Sequence, residues 1–306
     1  MSERVWLFVI LAVMGAGWGA TQPLSKIAVS GDYRHLGLIF WQLCIGAGIM
    51  GMIRACLPRR RWWPRTDMPA LRVYFLIALV GTILPNSASF EAIRHLPSGL
   101  ISILLSLVPL FAFPIALALG NERFAFGRAA GLALGLLGVL LIIAPDASLP
   151  ERAMVVFIPL ALIAPLFYAA EGNIVARWGT AGLDPVDVLF GASVLGAVIA
   201  LPIAIGSGHF IDLRGPWSAP DYALVAASII HVFVYTAYVW MVGRAGPMFA
   251  VQVSYLVTGF GVLWAMMFLA ERFSWWVWLA MILILSGVAL VQPRPRLDPD
   301  AGKGEN

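Results

Sequence analysis

The segment GNERF at Gly120–Phe124 has a counterpart 149 residues further along the chain, where LAERF occupies Leu269–Phe273. The apolar runs that follow match at the same offset, because LGLLGVLLI at Leu134–Ile142 aligns with LILSGVALV at Leu283–Val291. Apolar helices resemble one another in composition, but chance would not be expected to preserve a Glu-Arg-Phe triplet and a Gly-Val pair at one offset. The pattern indicates that the chain consists of two related halves.

The composition places both halves in a lipid bilayer. Of the 306 residues, 61% are hydrophobic and only 12% are charged, whereas about a quarter of the residues in a soluble domain are charged. Apolar runs of about 20 residues are long enough to cross a bilayer as helices, which satisfy their own backbone hydrogen bonds there. The sequence predicts ten such helices, near residues 4–26, 36–57, 71–92, 97–119, 126–144, 153–175, 186–206, 221–243, 248–270 and 274–292.

Each half contains five of the predicted spans, and this odd number sets the relative orientation of the halves. After five crossings the second half enters the membrane from the opposite side, which makes an inverted repeat, an architecture typical of secondary transporters. We therefore predict an all-α membrane protein of ten transmembrane helices, with five-helix repeats at residues 1–146 and 147–292. The polar, Pro-rich remainder, residues 293–306, is predicted to be a disordered cytoplasmic tail.

The basic residues indicate which side of the membrane the termini occupy. With a cytoplasmic N-terminus, fourteen of the 20 Lys and Arg residues fall on the cytoplasmic side, and the densest cluster is PRRRWWPR at 58–65. This bias follows the positive-inside rule and predicts that both termini are cytoplasmic, in a multi-pass protein of the cell inner membrane. Because the basic residues lie at the ends of apolar runs and in the tail, we expect no nucleic-acid partner.

Three features together resemble a known family. They are WGA at Trp18–Ala20, a glutamate after the fourth and ninth spans at Glu122 and Glu271, and Gly-Val pairs near the ends of the fifth and tenth spans. The chain is similar over nearly its whole length to the drug/metabolite transporter superfamily, in its ten-helix EamA branch. The resemblance implies a central cavity lined mainly by spans 1, 3, 4, 6, 8 and 9, with spans 5 and 10 helping to join the halves. It also implies export.

The eighth span carries polar groups near its middle. His231 lies at the centre of an apolar run, and Tyr235 and Tyr238 follow at +4 and +7, on the same helical face. Polar groups in lipid are costly and normally face the bundle interior or a wet cavity. We predict that these three residues line a substrate cavity, although a hydrogen-bonded histidine in a dry core is the alternative for His231.

The internal repeat points to the third span as the opposite wall. The offset of 149 residues aligns Thr82 with His231 and Asn86 with Tyr235, and Ser87 follows Asn86. Further polar or aromatic residues that we expect at the substrate site are Trp18 and Gln22 in span 1, Ser106 in span 4, Tyr168 in span 6, and Gln252 and Tyr255 in span 9. For Ser106, close helix packing is an equally good interpretation.

One carboxylate lies well inside a predicted span. Glu171 is about seven residues from the centre of span 6, which corresponds to roughly 10 Å along a helix. It is a candidate for proton coupling together with His231, because a histidine titrates near neutral pH. The alternative for Glu171 is a group that reaches the membrane surface and pairs with an arginine. Glu122 and Glu271 are expected to cap or anchor loops instead of contacting substrate.

These observations favour a secondary transporter that exports small metabolites, such as amino acids or related amphipathic compounds, by alternating access. The alternative is a multidrug or organic-cation efflux carrier. An intramembrane enzyme is disfavoured because the sequence contains no HExxH or GxSxG motif, and a channel because the polar residues form one patch instead of a continuous pore. We predict no cofactor and no metal site.

Small residues bear on the oligomeric state. Gly127, Gly131 and Gly135 recur at four-residue intervals in span 5, a pattern that lets helices pack closely. We expect this face to join the two halves of a monomer, while a dimer is the alternative.

Overall fold

All regular structure in the described part of the chain is helical. The computed structural model describes residues 3–56, 63–144, 149–245, 247–250 and 252–291. The predicted tail at 293–306, the predicted repeat boundary at residues 146–147, and residues 58–62 of the basic cluster lie outside these ranges. The α-helices are α1 (Glu3–Ala28), α2 (His35–Cys56), α3 (Met68–Ala78), α4 (Leu84–His95), α5 (Ser98–Leu105), α6 (Val108–Ala118), α7 (Phe126–Ile143), α8 (Ile158–Trp178), α9 (Pro185–Gly206), α10 (Ala219–Ala245), α11 (Pro247–Ala250), α12 (Val253–Leu269) and α13 (Trp275–Val291).

Eight helical stretches among the described residues are long and apolar enough to cross a bilayer, and they follow the first eight predicted runs. The ninth and tenth runs correspond to α12 and α13, which are apolar helices of 17 residues each. At 1.5 Å per residue, such a helix is about 26 Å long, slightly shorter than the hydrocarbon core of a bilayer. The length and composition of all these helical stretches are those of a multi-pass membrane protein.

Prolines divide two of the predicted spans. Pro85 has no N–H to bond to the carbonyl of residue 81, so the helix between α3 and α4 widens into a π-helical segment at Leu79–Ile83, in which the Leu84 N–H reaches the Leu79 carbonyl. The fourth span is also interrupted next to a proline, but by a tight turn in which the Ser106 N–H bonds to the Ile103 carbonyl. Helix α5 ends at Leu105 and α6 begins at Val108, with Pro109 in its first turn.

The helices pack in a pattern that is preserved when the two halves are exchanged. Helix α1 of the first half packs against α10 and α12 of the second half. Its counterpart α8, in the second half, packs against α4 and α6 of the first half. Helix α3 packs on α9 as α10 packs on α2, and the pairs α2–α9, α5–α12 and α7–α13 each join equivalent spans. Two halves of related sequence thus make equivalent contacts, as expected for duplicated units.

Helices α7 and α13 approach closely along two facing glycines. A Cβ atom added to Gly131 would lie 2.6 Å from the Gly287 carbonyl oxygen, and one added to Gly287 would lie against the backbone of Gly131. The neighbouring Gly127 has open space around it. The face predicted from the glycine spacing is therefore an internal contact at Gly131, where the two halves meet.

Candidate functional site

A central cleft opens between α2, α9, α10 and the π-helical segment. Its cavity volume is about 60 Å³. The polar residues that line the cleft lie near the middle of their spans. The cleft reaches Met50 on α2 and Leu189 on α9. The lining comprises Gln42, Leu43, Gly46, Met50, Thr82, Leu189, Ser193, Ser228, His231, Val232 and Tyr235.

Four of the residues predicted to bind substrate form one aromatic group beside this cleft. Trp18 on α1 donates its Nε1–H to Nδ1 of His231 on α10, with a distance of 3.3 Å between the nitrogens. The Trp18 ring also contacts the rings of Tyr235 and Tyr238, with centroid separations of 6.4 and 5.6 Å. His231 and Tyr235 line the cleft, and Trp18 and Tyr238 pack behind them.

The hydrogen bond from Trp18 fixes the state of His231. An indole nitrogen only donates, so Nδ1 of His231 must accept and carries no proton. The neutral ring then holds its proton on Nε2, where it is a hydrogen-bond donor. An imidazolium would have protons on both nitrogens and could not accept from Trp18.

A chain of hydrogen bonds joins α8, α4 and α2. The Tyr168 hydroxyl donates to Oδ1 of Asn86 at 2.7 Å, and the Asn86 amide donates to Oε1 of Gln42 at 3.3 Å. Gln42 also lines the cleft. Tyr168 and Asn86 were among the residues predicted from the sequence, but Gln42 was not, although an amide inside the otherwise apolar second span was the signal that could have revealed it.

Glu171 on α8 lies against the π-helical segment. A Cβ atom on Gly81 would come within 2.7 Å of both carboxylate oxygens, so the carboxylate occupies the space that the missing side chain leaves. The half-buried carboxylate has no hydrogen bond or ion pair to another residue in the described part of the chain. It is close enough to interact electrostatically with the hydroxyls of Tyr168 and Tyr235. Glu171 therefore lies beside the hydrogen-bonded chain and the aromatic group, without a counter-ion among the described residues.

The other predicted site residues lie away from the cleft lining. The Ser106 hydroxyl is buried in the turn between α5 and α6 and donates to the Ile103 carbonyl at 2.6 Å. Tyr255 is half-buried against the main apolar core, and Gln252 is exposed at the start of α12. Gln22 and Ser87 are half-buried on α1 and α4 and do not line the cleft.

One end of the helix bundle is closed by contacts between distant segments. We call it the Lys26 end; it carries the turns at residues 29–34, 96–97, 207–218 and 270–274. Tyr33 donates to Oδ1 of Asp221 at 2.5 Å, and Trp41 donates to the Ile211 carbonyl at 2.9 Å. Burial, together with the bond to Asp221, raises the pKa of Tyr33 to about 12, so its hydroxyl stays protonated at neutral pH. At the opposite end, which we call the Arg54 end, Arg54 of α2 is paired with Asp187 of α9.

Comparison with known proteins gives a consistent result. A probable terminal-alkyne amino-acid exporter of Streptantibioticus cattleyicolor is 24% identical over 217 residues, which is 68% of this chain and 66%, just under two thirds, of that protein. The uncharacterized transporter YvbV of Bacillus subtilis is 23% identical over 97% of this chain and 95% of its own length. A crystal structure of another protein with 20% identity superposes with a TM-score of 0.62, covering 92% of this chain and 95% of that one, which supports the fold. The profile of the EamA-like transporter family matches residues 5–144 and again 156–292, so the chain belongs to that family.

Proposed function

We propose that this protein is a secondary transporter that exports small metabolites, such as amino acids or related amphipathic compounds, by alternating access across the cell inner membrane. The observation that carries the proposal is the polar cleft halfway along the helices, where His231, Gln42 and Thr82 face one space. Substrate sites of such transporters lie near the bilayer midplane between two repeats. The similarity to a probable amino-acid exporter supports the substrate class and the direction.

The proposed architecture is a pair of inverted five-helix repeats with both termini in the cytoplasm. Two features support the repeat: the helix contacts are preserved when the halves are exchanged, and the family profile matches the chain twice. The excess of Lys and Arg on one side supports cytoplasmic termini. This arrangement places the Lys26 end on the outer side and the Arg54 end on the cytoplasmic side. The internal contact between Gly131 and Gly287 is consistent with a monomer, because it uses the small-residue face within one chain.

In this proposal the cleft binds the substrate through two kinds of group. The ring of Tyr235 contacts its apolar part, and the rings of Trp18 and Tyr238 support Tyr235 from behind. The Nε2–H of His231 and the amide of Gln42 supply hydrogen bonds to its polar part. A membrane site needs such fixed polar groups because a substrate that leaves water loses its own hydrogen bonds.

A second candidate function, efflux of organic cations, is favoured by Glu171. An unpaired carboxylate inside a membrane protein is costly, so a cation or a proton is expected to neutralise it. A substrate ammonium could do so beside the aromatic rings, which also attract cations. A proton on the empty carrier would do the same, and this would couple transport to the pH gradient.

The experiment uses the full-length protein in proteoliposomes, with a panel of amino acids and amines, in the presence and absence of a pH gradient. Saturable flux of at least one compound, reduced in His231→Ala, is the expected result. His209→Ala is the matched control, since His209 lies in a turn at the Lys26 end and does not line the cleft. Flux that rises linearly with concentration would indicate a pore, and full activity of His231→Ala for every transported compound would refute the assigned role of that residue.

A further inference from the structure

Two charged side chains bind opposite sides of the joint between α4 and α5. The Lys26 ammonium, near the end of α1, donates to the carbonyls of Ile93, Arg94 and Leu96, at 2.6, 3.2 and 3.0 Å. These carbonyls belong to the end of α4, where a helix lacks internal donors and carries partial negative charge. A single cation therefore satisfies three backbone acceptors and complements the helix dipole.

On the other side of the joint, Glu271 binds the start of α5. One carboxylate oxygen accepts from the N–H and the hydroxyl of Ser98 at 2.7 and 2.9 Å, and the other accepts from the N–H of Gly99 at 3.0 Å. These are the free donors at a helix N-terminus, and bonds from them to a carboxylate are stronger than bonds between neutral groups. Ser98 is fully buried, so this contact is protected from water.

The backbone directs Glu271 to this position. Helix α12 ends at Leu269, and the next residue, Ala270, adopts a left-handed conformation with φ of 53°, unusual for a residue other than glycine. The chain turns there and leads Glu271 to α5. Lys26 and Glu271 also attract each other electrostatically. We name Lys26, Glu271 and the backbone groups that they bind the α4–α5 clamp.

The Arg54 end cannot form an equivalent clamp. At the 149-residue offset, Ser98 corresponds to Pro247, which has neither a hydroxyl nor an N–H, and Lys26 corresponds to Val175, which has no charge. The counterpart of Glu271 is Glu122, and it forms an ion pair with Arg128 at 2.9 Å, within its own half of the chain. The two ends therefore differ, because the residues that form this clamp at the Lys26 end have no equivalent set at the Arg54 end.

We propose that the α4–α5 clamp is the gate of the Lys26 end, and that Lys26 and Glu271 are gating residues that bias the resting carrier towards the conformation closed at this end. Within the clamp, Glu271 connects the end of α12 in the second half to the start of α5 in the first half. Opening must therefore separate Glu271 from Ser98. The asymmetry of the clamp gives the resting carrier a preferred direction, with the cleft accessible from the Arg54 end. The inference rests on the proposed alternating-access cycle.

The test measures from which side the cleft can be reached. Cys44 and Cys56 are replaced by alanine, and Ser193→Cys places one thiol in the cleft lining. A membrane-impermeant maleimide is then applied to either face of sealed vesicles of known orientation. In the parent protein we expect faster labelling from the Arg54 end.

Glu271→Gln replaces one acceptor oxygen with a donor amide, and Lys26→Met removes the cation while keeping an unbranched side chain.

Each gating variant is expected to slow labelling from the Arg54 end and to speed labelling from the Lys26 end, changing the ratio of the two rates by about tenfold, as expected when charge-assisted hydrogen bonds are lost. Glu122→Gln is the matched control and should leave the ratio unchanged. The proposal is overturned if Lys26→Met gives the same ratio as Glu122→Gln, or if both rates change in parallel. Lys26→Met is sufficient for this decision if Glu271→Gln does not fold. The assay needs no substrate, so its result is independent of the substrate assignment.

Discussion

Trp18 and His231, 213 positions apart in sequence, are joined by a hydrogen bond in which the indole N–H donates to Nδ1 of the imidazole. The bond connects α1 in the first half of the chain to α10 in the second. Because the indole can only donate, the bond exists only while Nδ1 is unprotonated. A proton on this nitrogen would therefore act on the packing of the two halves as well as on the cleft.

We expect Trp18→Phe to change the pH dependence of transport. In the wild type, a proton that binds Nδ1 must displace the indole, whereas in the variant it meets no such competition. The lost hydrogen bond contributes about 0.5–1.5 kcal/mol, so the acidic limb of the pH–rate profile should move upwards by roughly 0.5–1 pH unit. Transport is measured in proteoliposomes between pH 5 and 8. The control is Trp240→Phe, because Trp240 is exposed on α10. The prediction would be contradicted if the acidic limbs of both variants coincided with that of the wild type.

Glu171→Gln should separate cationic from anionic substrates. The substitution keeps the shape of the side chain against Gly81 but removes its charge. A charged hydrogen bond is worth about 1.5–3 kcal/mol, so a transported amine should lose affinity by roughly ten- to hundredfold. Competition by phenethylamine is compared with competition by 3-phenylpropionate, which has no cationic group.

The control for this prediction is Glu151→Gln, because Glu151 is exposed and precedes the helical part of the sixth span. Equal losses for the amine and the carboxylate in Glu171→Gln would indicate a general structural defect. An unchanged amine affinity together with an unchanged pH dependence would make Glu171 a residue that only reaches towards the membrane surface.

The hydrogen-bonded chain from Tyr168 to Gln42 should behave as a unit. Asn86→Leu removes the central amide and leaves the Tyr168 hydroxyl without its acceptor. A buried unsatisfied polar group costs about 1–3 kcal/mol, so the variant should unfold at a lower temperature in detergent. Adding Tyr168→Phe to Asn86→Leu should cost little more, since the hydroxyl has already lost its partner. Ser87→Ala is the control, and strictly additive effects of the two substitutions would show that the bond contributes nothing.

Much of the helical framework follows from the sequence because a bilayer imposes its own length on an apolar run. The predicted run 186–206 corresponds to Pro185–Gly206, and the run 126–144 to Phe126–Ile143. The ninth run was placed less well. It was predicted to begin at residue 248, whereas the structure has a short helix at Pro247–Ala250 and begins α12 at Val253. Hydropathy does not detect such a break, since the residues on both sides are apolar.

The site could be predicted only in part. The positions of Trp18, His231 and Tyr235 follow from one rule, that polar groups in lipid face the interior. The rule does not tell which neighbour each group meets, so Gln42 as the partner of Asn86 was missed. It also does not identify the partner of Glu271, which was expected to cap or anchor a loop and accepts hydrogen bonds from the start of α5. Such contacts depend on the tertiary arrangement of the helices, which the pattern of polar residues along a single helix does not reveal.

The contact between α7 and α13 gives a stability prediction with a control on the same helix. In Gly131→Ala the new methyl group would lie 2.6 Å from the Gly287 carbonyl oxygen and 2.9 Å from a Val291 methyl group, so the helices must move apart. Overpacking of this kind costs about 1–3 kcal/mol. In Gly127→Ala, four residues earlier, the methyl group meets open space, and alanine is the better helix former. We therefore expect Gly131→Ala to lower the unfolding temperature in detergent and Gly127→Ala to leave it unchanged or raise it.

If the glycine face instead joined two protomers, Gly127→Ala would also perturb the protein, and size-exclusion chromatography with light scattering would show a change in oligomeric state in both variants. Loss of stability in Gly131→Ala alone, at constant mass, is the outcome that an internal contact between the two halves requires.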